Sequence, residues 1–286
     1  MTAQTSDEVT RRVVRERLDR VTDPELDRSI VRLEYVDAIE IAGNHVAVEF
    51  TLPTAWCSPA FAWMMASDAR DEVETLQSVE TATVTLREHV HEDAITRGVN
   101  NRRSFAEAFP DADGDVSAVR AELDRKARVA RQYDAVEALL ESGLDAATIV
   151  GLRLPDFETV SGDSAAEHGL GEIEDAETAA VHTDRSPGAS DASERLAVYA
   201  HDRSFAVTLP GTPINHYVEK ARETGLLSEP DARLFRTPEG DPIDSESFPL
   251  VHRRCRLAKV NMSSQGGICD GLREARTDRL EDATDN

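Results

Sequence analysis

Lysine is almost missing from this chain: Lys126, Lys220 and Lys259 are the only three among 286 residues. Cysteine is as scarce, with Cys57, Cys255 and Cys269. A small odd number of cysteines excludes a fully paired disulfide scaffold, leaving a reactive thiol, a metal ligand or a buried filler for each. Aromatic residues make up 5% of the chain, so its core has to be mainly aliphatic. No apolar run approaches the roughly 18 residues of a membrane span. The first residues also lack the basic-then-apolar pattern of a secretory signal. A cytoplasmic protein with no membrane partner is the expectation. Basic residues are outnumbered 32 to 55, giving a net charge of −23. Phosphate contacts need a basic face, so nucleic acid is not an expected partner. Signatures of common catalysis are missing too. There is no G-x-S-x-G, Walker loop, dinucleotide fingerprint, H-E-x-x-H or C-x-x-C.

What the chain has in excess is acid, spread along its whole length. Such a surface is strongly hydrated and suits high salt, where its self-repulsion is screened. A halophilic setting is expected. Recruitment of a basic partner is the competing explanation. Arginine, rather than lysine, supplies the cations, and its rigid fork makes the more specific ion pairs.

Hydrophobic spacing gives an α+β fold. Val9, Val13, Val14, Leu18 and Val21 share one face of a helix over 6–21, with Ser6 as its cap. Thr22-Asp23-Pro24-Glu25 stops it. Residues 33–42 and 45–52 alternate as two strands around a Gly43-Asn44 turn. Pro53 ends the second strand. A helix begins near Ser58, with Ser58 as cap and Pro59 in its first turn, and a strand follows over 79–87. Residues 1–90 thus read as a small helix–strand–strand–helix–strand domain, its helices on one face of a three-stranded sheet. A helical extension is expected over 91–155, with a long helix at 116–142 that Gly143 ends. Residues 156–195 read as an acidic flexible linker. Residues 196–286 form a further α+β region, with short strands near 196–199 and 205–209 and helices near 214–225 and 249–260.

The most informative segment is Thr51-Leu52-Pro53-Thr54-Ala55-Trp56-Cys57-Ser58-Pro59. It sets a cysteine between a strand and a helix N-terminus, where unpaired N–H groups and the helix dipole favour a thiolate. A thiolate binds iron and also attacks electrophiles. A small buried cysteine under the hairpin is the plainer alternative.

Asp23-Pro24-Glu25-Leu26, then Ser29-Ile30-Val31, then a hairpin and a Thr-containing loop ending in Cys57, resembles the SufT/PaaD-type metal–sulfur cluster biosynthetic family. That family includes the eukaryotic cytosolic iron–sulfur targeting factors. The resemblance covers about 6–90. It implies a transiently bound iron–sulfur cluster or iron at Cys57, with Asp23, Glu25 and Thr51 as neighbours. It also implies a metalloprotein client as partner. Ser58 stands where many members have proline, and Pro53 where a second threonine is common. Trp56-Cys57-Ser58-Pro59-Ala60-Phe61-Ala62, followed by Ile95-Thr96-Arg97-Gly98-Val99-Asn100, looks like a subgroup associated with di-iron monooxygenases. On that likeness the client is a monooxygenase component.

Two further clusters are candidates. His89, His91 and Glu92 could meet a metal if the chain stayed extended, since both histidines would then face one side. Otherwise they are solvated. His252 and Cys255 would share a helix face. With Cys269 and Cys57 they could form a soft ligand set for zinc or a cluster, and packing is the alternative. Three functions stay open: a cluster-assembly or metal-delivery factor acting through Cys57, an accessory module that recognises a metalloenzyme without touching metal, and a cysteine-dependent enzyme. A homodimer that brings two Cys57 thiols to one cluster is a further possibility.

Overall fold

The computed structural model describes residues 9–112, 116–160, 195–201, 203–229 and 231–284, apart from the side chains of 265, 268–270 and 273–284. It is an α+β structure that divides into two compact units. One comprises Met1–Asp124 with Val260–Asn286, and the other Arg125–Lys259.

The first unit opens with α1 (Arg11–Leu18), which buries Val14 and Leu18. Thr10 caps it, its Oγ1 accepting from the Val13 N–H at 3.3 Å. The expected cap Ser6 lies outside the described residues. Two-residue strands β1 (Thr22–Asp23) and β2 (Arg28–Ser29) pair across the Asp23-Pro24-Glu25 turn. The hairpin follows as β3 (Val36–Ala42) and β4 (His45–Thr51). Gly43 takes φ +63° at the first turn position, which a two-residue hairpin loop requires. Next come α2 (Pro59–Glu74) and β5 (Thr81–Arg87). The strand order is β3-β4-β5, β4 being antiparallel to β3 and parallel to β5. Parallel pairing demands a crossover, and α2 provides it.

Alternation decides the faces. Val46, Val48 and Phe50 of β4 and Ala82, Val84 and Leu86 of β5 are buried with Trp63, Met65, Ala66 and Ala69 of α2. The helix α3 (Glu92–Asn100) adds Ile95 and Val99 to this core. A short α4 (Phe105–Ala108) follows.

The outer edge of β5 is closed by side chains. The Val84 N–H donates to Asn100 Oδ1, and Asn100 Nδ2 donates back to the Val84 carbonyl, both at 2.9 Å. The Leu86 N–H donates to Thr96 Oγ1 at 3.1 Å, and the Ala82 N–H to Glu74 Oε1 at 3.2 Å. Gly98 allows the tight approach of α3 to α2, since a Cβ there would lie 2.6 Å from the Trp63 ring. Within the segment Ile95–Asn100, Ile95, Gly98 and Val99 thus serve packing, and Thr96 and Asn100 serve edge closure.

The long helix α5 (Val116–Glu141) ends where Gly143 takes φ +91°. The second unit contains α6 (Ala146–Ile149) and an antiparallel sheet of β6 (Phe157–Val160), β7 (Arg195–Ala200) and β8 (Phe205–Pro210), in that order. The strand β6 comes from the segment read as linker, whose residues 161–194 lie outside the described part. The helices α7 (Thr212–Glu223) and α8 (Phe248–Thr284) complete the fold, α8 running well beyond the expected 249–260. Leu139, Ile149, Val198, Tyr217 and Leu234 form the centre of this second core. Among the described residues, no helix is long and apolar enough to cross a membrane.

Candidate functional site

Strand β4 and helix α2 hold the two ends of the Cys57 loop. Leu52 and Pro53 are buried, so the loop starts anchored to the core. Within it the Trp56 N–H donates to Thr54 Oγ1 at 3.2 Å and the Cys57 N–H to the Thr54 carbonyl at 3.4 Å. Cys57 is half-buried against the core, while the neighbouring Trp56 is 79% exposed. Pro59 occupies the first turn of α2. Ser58 stands in the cap position, but its hydroxyl makes no capping bond, contrary to expectation. The first-turn amides of α2, which Ser58 leaves uncapped, lie at the Cys57 end of the helix.

A second segment clamps the loop. The Val90 N–H donates to the Ala55 carbonyl at 3.1 Å. His89 Nε2 lies 2.9 Å from the Cys57 carbonyl, and the His91 N–H donates to His89 Nδ1 at 3.1 Å. Since Nδ1 accepts, the proton sits on Nε2 and is given to Cys57. His89 is buried. Burial holds its pKa below the ordinary imidazole value, with His91 adding to the depression and the bond to Cys57 opposing it. The clamp's contribution to stability is therefore present above that ordinary value and is lost as pH falls below it. In an NMR titration, the His89 ring should be less than half protonated at pH 6.5, where a solvated imidazole is half charged. A His89 signal titrating at or above that pH would break this assignment.

The H-x-H-E cluster does not form a ligand set. Glu88 has φ +53°, so the chain turns instead of staying extended. Both His89 nitrogens are engaged, and the His91 ring packs edge-on against Phe109 at 5.4 Å. His89 is buried rather than solvated.

Asp23 is 8% exposed, and its Oδ1 accepts from the N–H groups of Glu25 at 2.9 Å and Leu26 at 3.1 Å. Its Oδ2 accepts from the Tyr35 hydroxyl at 3.4 Å. Burial raises its pKa, while the backbone bonds from Glu25 and Leu26 pull the other way. Asp23 thus holds the turn that carries Pro24 and the half-buried Glu25. An acid whose folded pKa is raised costs stability as pH rises through that value. Asp23→Asn keeps the acceptor and removes the buried charge. Its melting temperature at pH 7 should equal or exceed the parent's. Asp23→Ala orphans two amides and should cost about 1–2 kcal/mol in urea unfolding. If Asn is as damaging as Ala, the turn-holding role is wrong. Thr51 is buried at the end of β4 and donates to Asp37 Oδ2 at 2.5 Å. The bulge between Val36 and Ala38 turns Asp37 toward it.

In the second unit Cys255 is 1% exposed. Gln132 Nε2 donates to its sulfur at 3.5 Å, and burial pushes its pKa up to about 11. His252 bonds Glu137 at 2.9 Å and stacks on Tyr133 and Phe248. Both side chains are used by the packing of α5 and α8. The Cys269 side chain lies outside the described residues. Among the described residues, no three His, Cys, Asp or Glu side chains gather as a metal-binding group.

A family model described as iron-sulfur cluster assembly protein matches residues 11–86. Residues 11–86 form an iron–sulfur cluster assembly domain. The matched span begins at α1 and ends in β5, so it contains the hairpin, the Cys57 loop and the Asp23 turn. No curated protein and no solved structure matches the chain. The match of this span supports a general role in iron–sulfur cluster assembly. Two features of its loop were not singled out in the sequence. One is the exposure of Trp56. The other is the His89 clamp, which lies just past the matched span.

Proposed function

We propose that the chain receives iron or an iron–sulfur cluster at Cys57 and passes it to a metalloprotein client. The observation that supports this most is a half-buried cysteine on a clamped loop, at the N-terminus of α2, inside the span that matches the assembly family. A thiolate there gains from the helix dipole. One protein sulfur leaves the other positions on iron to sulfide, to the client or to a second copy of the chain. Such a site releases its cargo more readily than a closed four-ligand cage. Asp23 and Thr51 act by shaping the loop's surroundings, and His89 by fixing the carbonyl of Cys57. Trp56 is the residue presented to a client, since a large exposed apolar side chain in a polar surface marks contact.

The client on this reading is a monooxygenase component, following the likeness of the Trp56–Ala62 segment. The acidic surface suits a high-salt cytoplasm. Anaerobic reconstitution with iron and sulfide tests the central part. The parent should bind both, and Cys57→Ala should retain little of either. Equal iron and sulfide in the two proteins would refute delivery through Cys57 and leave the accessory-module reading. Iron at Cys57 should also quench the emission of the adjacent Trp56, while the buried Trp63 keeps its own.

A further inference from the structure

The two edges of the assembly domain's sheet are treated differently. On β5, three successive outward N–H groups and one carbonyl are taken by Glu74, Asn100 and Thr96. On β3, no described residue outside β4 bonds the main chain of Val36–Ala42. An open edge is a template for another strand, and proteins ordinarily blunt it. Among the described residues nothing covers it along seven residues, and a bulge lies only near its start.

Beside that edge runs a groove of about 510 Å³, formed by β3 residues 36–40 and by Arg11, Arg12 and Arg15 of α1. All three arginines are exposed. Arg12 pairs with Glu16 at 2.5 Å. Among the described residues, no carboxylate pairs with Arg11 or Arg15. In a chain of net charge −23, two guanidinium groups along a strand edge that have no carboxylate partner among the described residues stand out. The floor of the groove adds apolar contact through Val36 and Ile39.

We infer that β3 is a docking edge for an extended acidic segment of a partner protein. The segment adds as a further strand, its main chain pairing with β3. Its carboxylates lie on the α1 face of the sheet, where they reach Arg11 and Arg15 beside Val36 and Ile39, and its alternate side chains lie on the opposite face, beside Glu40. Main-chain pairing supplies affinity, and the arginines select for acid. Glu40, exposed on that second face, disfavours an acid directly across from it and so helps to set the register. This inference does not rest on metal binding at Cys57, and its test is made without iron.

The probe is a fluorescein-labelled decapeptide of alternating valine and glutamate, titrated with the full chain and followed by anisotropy. Saturable binding is expected, and the same peptide with lysine for glutamate should not bind. The double variant Arg11→Glu, Arg15→Glu, with an unchanged circular dichroism spectrum, should bind about tenfold more weakly, as fits the loss and reversal of two exposed ion pairs. N-methylating every second residue should abolish binding in one phase and spare it in the other, because only one set of amides faces β3. Equal binding of both phases, or no effect of the double variant, would overturn the proposal. So would sedimentation equilibrium that finds the edge occupied by a second copy of the chain.

Discussion

Replacing Gly98 by alanine should destabilise the assembly domain by about 1–3 kcal/mol. The sign matters more than the size. In the middle of a helix, glycine to alanine ordinarily gains roughly 1 kcal/mol. At this position a Cβ would lie 2.6 and 2.7 Å from two atoms of the Trp63 ring and 3.1 Å from the Ala108 Cβ. The ring cannot swing away, because Phe105 and Phe109 meet it edge-on with centroids at 5.7 and 6.2 Å. Overpacking therefore outweighs helix propensity. Urea unfolding followed by circular dichroism measures the loss. A double-mutant cycle with Trp63→Phe isolates its cause, since the smaller ring should return most of the lost stability. If Gly98→Ala stabilises the protein, the tight approach of α3 to α2 is not as described.

Asn100→Ala is expected to cost roughly 2–4 kcal/mol, the loss of two hydrogen bonds to partly buried main-chain groups. The Asn100 amide does for Val84 what a fourth strand would do, accepting from its N–H and donating to its carbonyl. Asn100→Asp is the sharper variant. It keeps the shape and the acceptor but turns a carboxylate oxygen on the Val84 carbonyl. It should be at least as damaging as alanine at neutral pH and should recover as the acid is protonated. Both variants also unblock the β5 edge, so concentration-dependent association should accompany the loss of stability. A stable, monomeric Asn100→Ala would mean that the edge is closed by other means.

Much of this architecture was legible from hydrophobic spacing. The alternation of Val46, Val48 and Phe50, and of Ala82, Val84 and Leu86, was enough to locate both strands and their buried faces. Pro53 and Pro59 bracketed the Cys57 loop, and the Asp-Pro-Glu turn gave the resemblance its second anchor. Tertiary interactions were less legible. Whether Ser58 uses its hydroxyl depends on a rotamer, which spacing does not encode. That His89 faces inward depends on the positive φ of Glu88, which reverses a chain that reads as extended. The Ile95–Asn100 segment entered as part of a subgroup likeness. Its Thr96 and Asn100 also close an edge and its Gly98 seats a tryptophan, constraints that appear only once α3 lies against β5. Cys255 and His252 have the spacing of ligands, yet their partners, Gln132 and Glu137, are more than a hundred residues away in the sequence.

Delivery through Cys57 requires that its sulfur be reached from solvent and taken up by iron. Brief anaerobic alkylation of the folded chain with iodoacetamide, read by peptide mass spectrometry, tests both at once. Cys57 should label quickly, and prior loading with ferrous iron should protect it. Cys255, buried and with its pKa near 11, should stay unlabelled until the chain is unfolded. A Cys57 that labels equally with and without iron, or only after unfolding, would contradict the account.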